Sequence, residues 1–136
     1  MAHVLGEARP IPIEAIEAAR ERIKGTVIRT PLVRLAHGVP NPTIYLKLEN
    51  LQPTNSFKLR GAANAVAMLA PERRAEGVWT ISAGNAGQGV AYAAREARVP
   101  CTVVTIDTAP DTKVERMRAL GARLVLSLIH ISEPTR

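Results

Sequence analysis

Two short stretches hold side chains of the types and spacing that could do chemistry. Ser56-Phe57-Lys58-Leu59-Arg60-Gly61-Ala62 places a lysine in the first turn of an apolar-periodic helix, directly after Pro53-Thr54-Asn55. The positive end of a helix dipole disfavours an ammonium there and favours the neutral amine, the form that attacks an aldehyde. Lysine is otherwise protonated at neutral pH, so a Schiff-base role needs such help. A solvated helix-start lysine with Ser56 as N-cap also fits this heptapeptide.

The second stretch, Ser82-Ala83-Gly84-Asn85-Ala86-Gly87-Gln88-Gly89, falls between an apolar run ending at Ile81 and the next helical pattern. Gly84 and Gly87 allow backbone amides to approach a ligand, and Ser82, Asn85 and Gln88 add polar groups at a helix start, an arrangement suited to an anion. Glycine-rich turn chemistry alone is the competing reading. A dinucleotide fingerprint fits poorly, because the spacing is Gly-x-x-Gly-x-Gly and no acidic residue follows at a strand end about 20 positions on.

The elements that must hold these loops are legible from periodicity. Ile13, Ile16, Ala19, Arg20 and Ile23 predict an amphipathic surface helix over 12–24, stopped by Gly25. Thr30-Pro31-Leu32 must be extended before its proline, Pro40-Asn41-Pro42 predicts a turn, and Ile44 to Leu48 predicts a strand. Three helix-then-strand repeats follow: a helix from Leu59 to Leu69 ended by Pro71, then a strand at 78–81; a helix at 86–97, then a strand at 101–106; a helix at 111–120, then a strand from Arg123. That alternation predicts an α/β fold, a parallel sheet with helices on both faces. Ligands of such sheets gather beyond the carboxyl ends of the strands, which singles out the loops 53–58, 82–89 and 107–112.

Composition excludes several classes. The 136 residues are 46% hydrophobic and 22% charged, which is globular and excludes wholesale disorder. No apolar run reaches the roughly 18 residues of a membrane span, and no basic-then-apolar leader is read, so a cytoplasmic protein with no membrane partner is expected. The net charge of +6 is spread as +2 over residues 1–50 and +4 over 51–125, and basic residues alternate with acidic ones in Glu72 to Glu76 and Lys113 to Arg116. These are solvated helix faces rather than a phosphate-tracking stripe, and with one Phe, one Trp and two Tyr there is no stacking platform, so no nucleic-acid partner is expected. One cysteine makes neither an internal disulfide nor a multi-cysteine zinc site; Cys101 and Trp79 are expected in the core. His3 and His37 stand alone, so no metal site is expected.

The two motifs, their order and separation, and the approach Leu46-Lys47-Leu48-Glu49-Asn50-Leu51-Gln52-Pro53-Thr54 together resemble one family, the threonine/serine dehydratase branch of the pyridoxal-phosphate enzymes with the tryptophan synthase beta-subunit fold, fold type II. The resemblance runs from about Ile11 to Val125, including Thr30-Pro31-Leu32 and Leu120-Gly121-Ala122. It implies pyridoxal 5'-phosphate as cofactor, with Lys58 joined to its aldehyde and later the acid/base at the substrate alpha-carbon. It implies Asn85 as partner of the ring hydroxyl, Phe57 against the ring region, and Ser82, Asn85 and Gln88 around the carboxylate of a small-molecule amino acid substrate. The implied reaction deaminates a beta-hydroxy amino acid to a 2-oxo acid and ammonia, in a protein that is homo-oligomeric when full length.

Single residues separate the branches. Cysteine synthase-like and threonine synthase-like relatives read Lys-Asp-Arg where this chain reads Lys58-Leu59-Arg60. Serine racemases of the family resemble Ser-Ser-Gly-Asn, and this chain has Ala83 at the second serine, which removes a proton donor from one ring face and favours elimination over racemisation. A serine racemase-like or other fold-type II enzyme is the alternative, and a non-catalytic α/β binding module is the competing class. Two positions depart from the pattern: Ala86 stands where histidine is usual, and Asn55 where glycine is common, although asparagine tolerates a left-handed backbone.

By the same resemblance, residues 1–50 are expected to belong to the larger domain of a two-domain enzyme and 51–125 to the smaller, cofactor-facing domain. The phosphate-binding loop and the partner of the pyridine nitrogen are expected beyond the end of the chain, so the stretch alone is expected to bind the cofactor weakly and turn over nothing. Residues 126–136, Leu126 to Arg136, look like the translation of a transposase sequencing adapter, not native sequence; His130 is then neither ligand nor base.

Overall fold

The computed structural model describes residues 10–36, 38 and 42–127. Pro40 and Asn41 of the expected turn, all three histidines and the segment 128–136 lie outside the described residues.

The chain opens with α1 (Ile13–Arg22), entered from extended Pro12, and α1 buries none of its residues. Its stripe stays open, Ile13 being 60% and Ile16 53% exposed, and only Ile23, just past the helix, is buried. Strands β1 (Leu32–Arg34) and β2 (Tyr45–Lys47) pair antiparallel, Val33 opposite Leu46, so the extended Thr30-Pro31-Leu32 segment leads into a ladder that the proline alone did not announce.

After a single turn of 3-10 helix (Glu49–Leu51), the repeats appear as α2 (Lys58–Ala67), β3 (Val78–Ile81), α4 (Asn85–Ala97), β4 (Cys101–Ile106), α5 (Asp111–Ala119) and β5 (Arg123–Ser127). One further helix, α3 (Pro71–Glu76), lies between α2 and β3. Pro71 both ends one helix and starts the next: it lacks an amide hydrogen, which costs nothing at the first helical position, where that donor has no partner anyway. The Glu72 to Glu76 run is this short helix, exposed throughout.

Strands β3, β4 and β5 form a parallel sheet in that order, flanked by helices, in a mixed α/β fold. Strand β5 extends two residues past Val125, with Leu126 opposite Thr105 and Ser127 opposite Ile106. Side chains alternate across the pleat. Val103 of β4 is fully buried with Ala91 of α4 and Met117 of α5, while Val78 joins a second cluster with Leu59, Ala63 and Val66 of α2 and Ala93 and Ala94 of α4. On the opposite side of the pleat, Trp79 is 71% and Ile81 55% exposed. Trp79 is therefore no core residue: alternation along β3 turns Val78 and Thr80 towards the packed side and sends Trp79 the other way. Cys101 is half-buried against both clusters, and desolvation pushes its thiol above the usual range.

Among the described residues, no helix is long and apolar enough to cross a membrane, and no group of three or more His, Cys, Asp or Glu could hold a metal ion.

Candidate active site

Lys58 is the first residue of α2, and Ser56 caps its turn, its Oγ accepting the Lys58 backbone N–H at 3.2 Å. The cap and the helix start belong together: a hydroxyl two residues upstream satisfies a first-turn amide that has no intrahelical acceptor. The Lys58 side chain is exposed and lies over the Phe57 ring, Nζ 5.0 Å from the centroid, and its amine makes no hydrogen bond or ion pair with the described residues. It is the kind of amine that a carbonyl compound can reach.

The loop before Lys58 is fastened at three points. Gln52 is 1% exposed and acts like a strand partner, donating to Ile28 O at 2.7 Å and accepting the Ile28 N–H at 3.0 Å. Glu49 receives a bidentate pair from Arg60, Nε and Nη2 each at 2.8 Å, with Thr30 Oγ1 donating as well. The hydrogen bonds from Arg60, joined by the Thr30 bond, outweigh the upward push of burial and hold the Glu49 carboxyl down at about 2. The same partnership raises Arg60, which the motif left without a role. Third, Asn55 sits at φ 54°, the left-handed conformation that glycine adopts freely, and its side chain donates to Asn50 O at 2.9 Å. The departure at residue 55 is thus accommodated.

The second loop is closed by Ser82. Its backbone N–H continues the sheet to Val104 O at 2.9 Å, and its Oγ accepts the N–H groups of Gly84 at 3.2 Å and Gly87 at 3.0 Å. Those two amides are spoken for. What remains towards a ligand is the hydroxyl proton of Ser82 and the first-turn N–H groups of Asn85 and Ala86, which by helix geometry have no intrahelical acceptor. Gly87 permits this closure, since a β-carbon there would come 2.6 Å from Met117 Sδ and 3.3 Å from Ser82 Cβ and O.

Helix α4 then brings the motifs together. A β-carbon on Gly89 would lie 3.3 Å from the backbone C and O of Lys58, so the two helices touch at this point. Asn85 is four residues earlier, on the same face of α4 and about 6 Å further along its axis. Asn85 therefore projects from the α2-facing side of α4, one turn beyond its contact with Lys58.

Gln88 sits deeper than Asn85 and Ala86. Its side chain is fully buried, and neither amide atom has a hydrogen-bond partner. It lies with Gly87 and Ala91 among the buried residues of α4. Helical phase decides this, and a loop motif read linearly does not reveal it. Two residues the motifs omit reach the loops from α5: Lys113 donates to Asn85 Oδ1 at 2.8 Å, and Arg116 donates to Asn55 Oδ1 at 2.8 Å and Pro53 O at 2.7 Å. In sequence both read as members of a solvated charged run.

Residues 23–134 match the family described as pyridoxal-phosphate dependent enzyme. The chain is 45% identical over 118 residues to an L-threonine ammonia-lyase of Thermotoga maritima, an alignment covering 85% of this chain and 29% of that protein. It is similar in structure to maize serine racemase, with TM-score 0.83 and 33% identity over 88% of this chain and 37% of that one. It is similar too to threonine deaminase isoform 2 of Solanum lycopersicum, with TM-score 0.75 and 34% identity over 85% of this chain and 34% of that one. The chain thus spans between 29% and 37% of the length of these relatives.

Proposed function

The chain belongs to the pyridoxal-phosphate dependent enzymes, and from that premise we propose that it is the lysine-bearing part of an ammonia-lyase acting on a beta-hydroxy amino acid. Overall, such a reaction loses the alpha proton and the beta hydroxyl, and hydrolysis then gives a 2-oxo acid and ammonia. The observation that carries the proposal is the exposed amine of Lys58, without a hydrogen bond or ion pair among the described residues, at a helix start in contact with Gly89 and adjacent to the Asn85 turn.

The residues present suit the group. Lys58 offers the amine an aldehyde needs, Phe57 a flat apolar wall beside it, and Asn85 an amide for a ring oxygen. When bound, pyridoxal phosphate supplies an electron sink for charge developing at the alpha-carbon. Ser82 and the Asn85 and Ala86 N–H groups are donors for the substrate carboxylate, fixing which bond at the alpha-carbon faces the lysine. Lys58 takes the alpha proton, and the beta hydroxyl leaves as water. Gln88 enters the proposal as a packing residue beneath this loop. The likeness to threonine ammonia-lyases and Ala83 in place of a second serine favour elimination.

On this reading residues 1–50 belong to the larger domain and 51–125 to the smaller one, the site residues named here all precede Val125, and the parent protein is a cytoplasmic homo-oligomer. The stretch in hand binds pyridoxal phosphate weakly and does not turn over.

The chain has only four lysines, Lys24, Lys47, Lys58 and Lys113, which makes the test direct. Incubation with pyridoxal phosphate, borohydride reduction and peptide mapping should label Lys58 ahead of the other three, and Lys58→Ala should abolish that selectivity. Uniform labelling, or a preferred label elsewhere, overturns the proposal. Robust production of 2-oxobutanoate from threonine by this chain would overturn the statement that it is inactive by itself, and D-amino acid formation in the longer parent would favour racemisation.

A further inference from the structure

Helix α5 contains neither motif, yet it holds both loops. Lys113 reaches Asn85 at the head of α4, and Arg116, three residues on, reaches Pro53 and Asn55 ahead of Lys58. Residues three apart share a helix face, so both cations project together towards the site. The helix is firmly seated: Met117, next along, is fully buried with Val103 and Ala91, its sulfur lying against Gly87.

We propose that Lys113 is a positioning residue that sets which end of the Asn85 amide faces a ligand. The amide has an accepting oxygen and a donating nitrogen at opposite corners, and rotation by half a turn exchanges them. An ammonium can only donate. With Oδ1 engaged by Lys113, the corner left for a ligand is Nδ2, which can only give a hydrogen bond. The matching ligand atom is an acceptor, best an anionic ring oxygen, because charge-assisted hydrogen bonds are the stronger kind. Lys113 thereby selects the ring oxygen in its deprotonated form, acting through Asn85 and touching no ligand itself. This rests on the proposed function, since it concerns how that site receives pyridoxal phosphate.

Two measurements on this chain test it. In nitrogen-15 correlation spectra without any ligand, Lys113→Met should shift the Asn85 side-chain amide resonances, while Lys113→Arg, which still donates, should keep them near the original positions. Affinity is then read by borohydride trapping at Lys58 with pyridoxal phosphate and with its 3-deoxy analogue, which lacks the ring oxygen. Lys113→Met should weaken pyridoxal phosphate about fivefold, as befits one partly exposed charge-assisted hydrogen bond, and leave the 3-deoxy analogue unchanged. Equal weakening of both compounds would show that Lys113 acts on the phosphate or on folding, and no weakening of either would show that it does not act; both overturn the inference. If the unsubstituted chain traps no label at Lys58, the functional proposal falls and the ring-oxygen role with it. The Asn85 resonances then still decide whether Lys113 sets the amide.

Discussion

Gly89 and the backbone of Lys58 meet at van der Waals limit: a β-carbon on Gly89 would lie 3.3 Å from the Lys58 carbonyl carbon and oxygen and from the Leu59 nitrogen. These are main-chain atoms of a helix start, which cannot rotate aside as a side-chain tip can. The approach of α4 to the start of α2 is therefore set by the absence of a side chain at Gly89.

It follows that Gly89→Ala should separate stability from labelling. Alanine gains roughly 1 kcal/mol of helix propensity over glycine, which offsets the cost of a few tenths of an ångström of displacement. The melting temperature should change little, while borohydride-trapped label at Lys58 falls several-fold. An unchanged label would mean that the contact does not set the position of the amine.

The Glu49–Arg60 pair gives a pH signature. Glu49 titrates at about 2 in the folded chain against an ordinary 4.5, so the unfolded chain binds the proton more readily. Its stabilisation is complete above pH 4.5 and is lost as pH falls towards 2. Glu49→Gln should cost about 2 kcal/mol at neutral pH, the scale of hydrogen bonds to a charged group. Denaturant titrations of both proteins should show a constant gap above pH 4.5 that narrows below it.

Asn55 combines a left-handed backbone with side-chain bonds to Asn50 and Arg116. Asn55→Ala loses the bonds and keeps the strained φ, and should destabilise by roughly 1 to 2 kcal/mol. Asn55→Gly loses the same bonds but relieves the backbone, so its loss should be smaller by about 1 kcal/mol. Thermal unfolding of the three proteins gives the order directly.

Trp79, the one tryptophan, is open to water. Its emission should resemble that of free indole in water, acrylamide should quench it readily, and Trp79→Thr should alter stability by no more than about 0.5 kcal/mol. A blue-shifted, protected emission would place this side chain in contact with another surface.

The sequence by itself determined the order of elements. Apolar periodicity, Pro71 and Gly121 mark helices and strands within a residue or two, because these signals are local: a dihedral preference or an amphipathic repeat needs no distant partner. It also yielded the lysine and the glycine-rich loop, since each motif is contiguous. The short helix α3 showed only as a charged run, and the β1–β2 ladder was half visible, because pairing needs a partner strand.

The tertiary structure decided the direction of side chains and the long-range ties. Trp79 faces outward and Gln88 inward because the phase of a strand or helix against its neighbours is set by packing, which a linear motif does not encode. Glu49 meets Arg60 across 11 positions, Lys113 meets Asn85 across 28 and Arg116 meets Asn55 across 61. Charged residues at such separations read identically whether solvated or paired. Only the packing of α5 on the sheet brings Lys113 and Arg116 to the loops around Lys58 and Asn85.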